Sequence, residues 1–302
     1  MLAIVIPYFK LEFFEETLQS LESQTNKEFN VYIGNDASPQ DPLPILNFFK
    51  ETIDITYKKF ETNVGLRSLT QQWDRCLGMV KKEDWIMILG DDDYLESNVV
   101  ENFYKHLPLF TTKSNIVRFS SRIVENDRLS KIYVHPEWED AGSAFMRRFR
   151  QETRSSLSEY IFIKDAYNKY GFYDYPLAWH SDDRAWLEFA ENKPIYSIND
   201  AVVYFRHSTH NITGKVNNLE EKDTATEQFY KYLAANTLYF TRQEKLMFAR
   251  IYERSLRNKG MVNFKEWLEI ARIYLLNFEP DAFKKMLKRV LREKILNKEV
   301  TI

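Results

Sequence analysis

The chain has one cysteine, Cys76, in 302 residues. No disulfide can form within it, which fits a reducing, cytoplasmic setting. A basic excess is also missing. The formal net charge is −2, so the sequence lacks the cationic face that a general nucleic-acid binder sets against phosphates. No window approaches ~18 uninterrupted apolar residues, and no membrane-spanning helix is predicted. Fixed-period repeats and low-complexity segments are absent. So are the glycine-rich phosphate cradles, both G-x-G-x-x-G and the P-loop. A diphosphate bound here would need something other than a loop of backbone amides to hold its charge.

What is present supports a folded enzyme-sized domain. Hydrophobic residues make up 44%, enough for a sizeable core. The opening "MLAIVIPYFK" has no basic lead and no cleavage site, so it reads as a first strand and not as a signal peptide. Strand-like and helix-like segments then alternate: "LAIVIP", "EFFEETLQSLESQ", "FNVYIGND", "PLPILNFFKE", "IDITYKKF", "LRSLTQQWDRCLGMV", "WIMIL" and "SNVVENFYKHL", the last with Ser97 as its expected N-cap. This order predicts an α/β fold: a Rossmann-like, mostly parallel central sheet with helices on both faces. Further on, "NIVRFSSRIV", "LSKIYVH", "PIYSI" and "AVVYFR" read as strands. "GSAFMRRFRQ" and "HSDDRAWLEFAEN" read as helices, the second one capped. From about Asn218 the pattern is helical to the end. A boundary is expected in "HNITGKVNN", giving a domain over 1–215, with halves 1–110 and 111–215, and a helical C-terminal extension over 216–302.

In open α/β sheets ligands sit beyond the carboxyl ends of the strands. The predicted strands end in Pro7-Tyr8-Phe9, in Asn35-Asp36-Ala37-Ser38, in "ETNVGLR" with Asn63 and Arg67, and in Asp91-Asp92-Asp93. Asp36 could accept hydrogen bonds from a base or ribose, and Tyr8 or Phe9 could flank that base; turn chemistry and core packing are the plainer readings. Three adjacent carboxylates need a counter-charge. A hard divalent cation, Mg²⁺ or Mn²⁺, supplies one through oxygen ligands, with substrate phosphates completing its shell. A solvated turn favouring the next helix N-terminus is the alternative.

These residues resemble family 2 glycosyltransferases, which have the GT-A fold. "IVIPYFK", "FNVYIGNDAS", "NVGLRSLTQQWDRCL" and "ILGDDDYLES" fall in that family's order. The resemblance implies a nucleotide-sugar donor, a UDP-sugar by expectation, and Mn²⁺ or Mg²⁺ between protein and diphosphate. It also implies transfer with inversion to a glycan or lipid-linked acceptor. It puts Asp36 on the base-binding aspartate and the metal on Asp93 or Asp91, with Asp92 near the ribose. Gly90 stands where many members carry the first aspartate, and Arg67 is offset from a diphosphate-side arginine.

An inverting transfer needs a base for the acceptor hydroxyl. "WHSDDRAWLEF" offers Asp182 and Asp183, and aligning through "AWL" puts Asp182 on the family's base and Ser181 on its glutamate. Either aspartate could serve, and both also suit a helix N-terminus. In "YFRHSTHNIT", Arg206, His207 and His210 are candidates to neutralise a departing diphosphate, His207 also as a metal ligand. Trp179 and His180 could face the acceptor. The last helix carries seven basic and three acidic residues over Asp281–Ile302. Its apolar face can dock on the protein or lie on an anionic membrane. Two other functions share these features. One is a nucleotidyltransferase making a nucleotide-sugar, disfavoured by the lack of glycine in "IPYFKLEFF". The other is a non-catalytic nucleotide- or sugar-binding module.

Overall fold

The computed structural model describes residues 1–299 apart from 127, 209–213, 215–217, 236, 237, 259, 261 and 278. The chain divides into two compact units, Met1–Leu219 and Glu220–Ile302.

The first unit opens with three strand–helix repeats: β1 (Leu2–Tyr8), α1 (Phe14–Glu22), β2 (Phe29–Asn35), α2 (Leu43–Phe49), β3 (Ile55–Lys59) and α3 (Leu69–Leu77). Next come β4 (Trp85–Ile88), the short β5 (Tyr94–Leu95) and α4 (Val99–Phe110). Strand β1 lies between β2 and β4, parallel to both. Leu2 to Ile6 are all fully buried, which is why this stretch is a continuous apolar run and not an alternating one. On one side Leu2, Ile4 and Ile6 join a core with Phe14 and Leu18 of α1 and Phe103 and Phe110 of α4. On the other, α3 comes so close to β2 that a Cβ at Gly34 would lie 2.2 Å from Cys76 Sγ. Burial pushes the Cys76 thiol up to about 12.

The remaining elements of this unit are β6 (Ile116–Glu125), β7 (Arg128–Leu129), β8 (Trp138–Glu139), α5 (Ala141–Phe149), β9 (Tyr160–Ile163), α6 (Lys164–Tyr170), α7 (Ser181–Phe189) and β10 (Ile195–Arg206). The sheet order is β3-β2-β1-β4-β9-β6-β10-β5. Strand β9 is antiparallel to both β4 and β6, and β10 is parallel to β6. At the far edge β10 pairs antiparallel with β5, so the end of β10 lies against the turn that follows β4.

Local expectations differ from the structure in four places. "PIYSI" and "AVVYFR" form one strand, β10, with a register shift between Ile198 and Val202. "LSKIYVH" makes only an isolated bridge, from Tyr133 to Ser121 of β6. Helix α4 is capped at Asn98 and not at Ser97, without a side-chain cap bond. Helix α7 starts from His180 in the left-handed region, φ 71°, again without a side-chain cap bond.

The second unit contains α8 (Leu219–Ala235), α9 (Arg242–Asn258), α10 (Phe264–Leu276) and α11 (Pro280–Glu299). Helix α10 begins with a capping box, Asn263 with Glu266, which satisfies two otherwise orphaned donors. Inside the unit, the Tyr274 hydroxyl donates to Glu253 at 2.6 Å, and Glu253 also pairs with Arg289 of α11. Among the described residues, no helix is long and apolar enough to cross a membrane.

Candidate active site

The turn Gly90–Asp93 follows β4 and is closed by the Asp93 amide donating to the Gly90 carbonyl at 3.3 Å. Each carboxylate in it has a different set of partners. Asp91 Oδ2 accepts the backbone amides of Phe9 and Lys10, both at 2.7 Å. Asp93 is 3% exposed; its Oδ1 accepts the Arg206 amide at 2.8 Å, and its Oδ2 accepts the Ser158 hydroxyl. The backbone of Asp93 is held as well, since its carbonyl accepts from Thr17 of α1 at 2.8 Å. The strand-end loop of β1, the end of β10 and helix α1 therefore all fix the acidic turn. Gly90 allows its tight packing, because a Cβ there would meet Asp93 Oδ2 at 2.9 Å and Asp92 Oδ1 at 3.1 Å.

All three carboxyls of the turn are harder to ionise than usual. Burial raises the Asp91 carboxyl above its usual range. Burial, reinforced by the charges of Asp93 and Asp91, pushes Asp92 up to about 8. Burial raises Asp93 to about 6, against the opposing hydrogen bonds from Ser158 and Arg206. Among the described residues, no group of three or more His, Cys, Asp or Glu side chains is arranged to hold a metal ion. The turn still fits a hard divalent cation in donor type and charge. It presents carboxylate oxygens, and their burial, with repulsion between neighbours adding at Asp92 and Asp93, lifts the carboxyl groups.

Asp91 and Asp93 line a cleft of ≈ 430 Å³ together with Pro7, Asp182 and His207. Trp179 and His180 lie on the same cleft. Residues from opposite ends of the unit thus meet: the ends of β1 and β4, the end of β10, and the start of α7.

The two aspartates of α7 differ sharply. Asp182 lines the cleft, and burial, with Asp183 adding repulsion, pushes its carboxyl up to about 7. Asp183 does not line the cleft. It is 4% exposed and is bonded by Arg148 at 2.9 Å and by His180 Nδ1 at 2.8 Å. Burial alone would raise its carboxyl, but Arg148 and His180 outweigh burial and lower it. Adjacent carboxyls pushed apart in this way take different roles. The loop before α7 is strained: Leu177, Ala178 and His180 all have left-handed φ, at 59°, 52° and 71°. Ser181, fully buried, ties the loop down by donating to the Tyr173 carbonyl at 2.7 Å.

Several expected site residues stand elsewhere. Tyr8 is fully buried; its ring packs on Phe14 with centroids 4.6 Å apart, and its hydroxyl donates to the Gln40 carbonyl at 3.0 Å. Phe9, 38% exposed, is not on the cleft. Asp36 accepts the amides of Val64 and Gly65, both at 2.8 Å, and pairs with Arg75. Its carboxylate shapes the loop after β3 and does not open into the cleft. Asn63 accepts the Leu66 amide at 2.8 Å within that loop, and Arg67 is exposed beside it. Asp92, within the turn, does not line the cleft. Arg206, expected at the leaving group, is not among the residues lining the cleft. It pairs with Glu16, donates to the Asp92 carbonyl at 3.0 Å and covers the Phe13 ring at 4.0 Å. His207 is held through Nδ1 by Glu125 at 2.6 Å. His210 lies outside the described residues.

Two arginines of the cleft were not singled out from the sequence. Arg148 comes from α5. Arg154 comes from the segment before β9, where it pairs with Glu159 and bonds Ser121 at 2.9 Å. Neither sits in a recognisable motif; only α5 and β9 folding beside α7 and β6 brings them in.

A mostly parallel sheet with an acidic turn after β4, a second carboxylate across the cleft and a helical C-terminal region defines a GT-A-like architecture. The chain belongs to the glycosyl transferase family 2: residues 3–171, more than half of its length, match that family. The crystal structure of S. aureus TarS 1-349 in complex with UDP-GlcNAc has a TM-score of 0.64 at 16% identity, covering 90% of this chain and 79% of that one. The same fragment in complex with UDP gives 0.61 at 15% identity, covering 97% and 91%. Against the longer S. aureus TarS structure the match covers 47% of that chain, with a TM-score of 0.62 at 15% identity. At these identities the likeness shows the fold. None of the curated proteins matches the chain.

Proposed function

We propose that the protein transfers a hexosyl unit from a UDP-sugar to a hydroxyl of a glycan or lipid-linked saccharide, with inversion, in surface polysaccharide assembly on the cytoplasmic side. The observation that carries this is Asp182, with its carboxyl raised to about 7, on the same cleft as Asp91 and Asp93. S. aureus TarS, similar in fold, has been crystallised with UDP-GlcNAc, which makes that compound the first donor to test.

In this reading Asp182 takes the proton from the acceptor hydroxyl as the hydroxyl oxygen attacks the anomeric carbon. The bond to the diphosphate breaks on the opposite face and its electron pair leaves with the diphosphate. Asp183, neutralised by Arg148 and His180, orients the start of α7 so that Asp182 faces inward. Trp179 and His180 position the acceptor ring. Asp36 sets the base end of the site indirectly, by holding the amides of Val64 and Gly65. Asp91 and Asp93, with Asp92 and His207 nearby, would hold Mn²⁺ or Mg²⁺. That cation supplies charge neutralisation for the departing diphosphate. The domain limits 1–215 and 216–302, with the basic last helix touching an anionic membrane, belong to the same proposal. Incubation with UDP-GlcNAc and Mn²⁺ tests the reading. UDP release that disappears in Asp182→Asn and Asp93→Ala, both folded, supports it, and undiminished release in both variants overturns the site assignment.

A further inference from the structure

The helical unit Glu220–Ile302 contains seventeen basic and twelve acidic residues, in a chain whose net charge is −2. Five of the basic residues line a single groove of ≈ 580 Å³ inside that unit. Arg250, Arg254 and Arg257 recur at i, i+4 and i+7 on α9 and so share one face. Lys285 and Arg289, at i and i+4 on α11, complete the lining.

The groove also contains Glu253, Glu279 and Asp281, and two of these are already matched. Glu253, 4% exposed, pairs with Arg289 at 2.7 Å and accepts the Tyr274 hydroxyl. Glu279 pairs with Arg242 at 3.1 Å. Asp281 remains opposite Arg250, Arg254 and Lys285, so the groove keeps a cationic excess. Two exposed guanidinium groups one helical turn apart can each present a pair of parallel N–H donors to phosphate oxygens, and a lysine adds a mobile third contact. Like charges gathered on one helix face repel. The arrangement is relieved by an anion that bridges them.

We propose that this groove between α9 and α11 binds a phosphate-ester anion. The groove lies within the helical unit, and its headgroup arm makes specific the membrane contact proposed above for the last helix, while nothing in it rests on the transfer chemistry. Two sources present the same chemistry, a phospholipid headgroup at a membrane surface and a soluble phosphate.

The test uses the full chain and a variant combining Arg250→Ser, Arg254→Ser and Lys285→Ser. Thermal unfolding in sodium phosphate is compared with sodium chloride at equal ionic strength, since a ligand of the folded state raises the midpoint. Flotation is compared on vesicles of phosphatidylglycerol with phosphatidylcholine and on phosphatidylcholine alone. Phosphate stabilisation of the wild type is expected, with at least a tenfold weaker affinity in the variant. Flotation on the anionic vesicles only, lost in the variant, identifies the headgroup as the source; stabilisation without flotation identifies a soluble phosphate. Equal responses of wild type and variant in both assays overturn the proposal. Should the triple variant fail to fold, Arg254→Ala alone is expected to weaken phosphate binding at least threefold, and an unchanged affinity overturns the proposal. UDP-sugar hydrolysis is measured alongside. It should be the same in wild type and variant, so the failure of either reading is visible without the other.

Discussion

Replacing Asp182 by Asn removes a proton acceptor while keeping the shape of the side chain. A positioned general base contributes about 10²–10⁴ in rate, or about 3–5 kcal/mol of barrier, so kcat should fall by at least a hundredfold. The raised carboxyl adds a second readout. Only the ionised form can accept a proton, and it forms as pH rises through about 7. About a tenth of wild-type sites are then competent at pH 6 and about nine tenths at pH 8, so kcat should climb roughly tenfold across that range. The stability effect has the opposite sense. A carboxyl raised in the folded state contributes stability that is present below about pH 4 and is lost as pH rises through about 7. Asp182→Asn should therefore melt at a higher temperature than wild type at pH 8 while being inactive, a combination that misfolding cannot produce. Asp183→Asn removes the neighbouring negative charge and should shift the rising limb to lower pH. Arg148→Ala removes a stabilising positive charge and should shift it higher. Single-turnover rates with UDP-GlcNAc and Mn²⁺ from pH 5.5 to 8.5 decide the matter. A flat profile, or an Asp182→Asn variant retaining more than a tenth of wild-type rate, refutes the assignment.

Other expectations follow from the same geometry. Mn²⁺ should raise the melting temperature of wild type in the presence of UDP and leave an Asp91→Asn, Asp93→Asn double variant unmoved; an equal shift in both would remove the acidic turn from the metal site. Arg206→Met deletes the pairing to Glu16 and the bond to the Asp92 carbonyl, and with Glu16 half exposed the loss should be about 1–2 kcal/mol by urea unfolding, with weaker UDP binding as the turn loosens. Gly34→Ala inserts a methyl where Cys76 Sγ already lies, and overpacking there should reduce stability by about 1–3 kcal/mol; adding Cys76→Ala should restore much of it, and no recovery would mean that the strain lies elsewhere.

The parallel half of the sheet is legible in the sequence because β1, β2 and β4 are rich in buried apolar residues and the helices that follow carry one apolar face, and both signals are local. The position of β9 is not local. Its four residues pair antiparallel between β4 and β6, and nothing within "YIFI" names those partners. Strand β10 reads as two strands because "ND" at 199–200 resembles a turn. Asn199 instead bonds both the amide and the carbonyl of His135, at 3.0 and 2.8 Å, standing in for a strand neighbour while the register shifts. The site divides along the same line. Asp91, Asp93 and Asp182 could be selected from their places after a strand or before a helix. The difference between Asp182 and Asp183 depends on Arg148 from α5, and the orientation of Arg206 depends on Glu16 from α1; neither relation leaves a trace in sequence spacing. Tyr8 reads equally well as a stacking residue or a core residue, and its full burial against Phe14 makes it part of the core.

The packing of Cys76 against Gly34 has a practical consequence. Its sulfur is fully buried and its thiol is held protonated up to about 12, so it offers almost no thiolate to electrophiles at neutral pH. A cysteine introduced at Leu66, which is 89% exposed on the loop whose amides Asp36 holds, would be the sole reactive thiol of the chain. One fluorophore or spin label there would report any change in that loop on addition of a UDP-sugar without first stripping the native sulfur from the core.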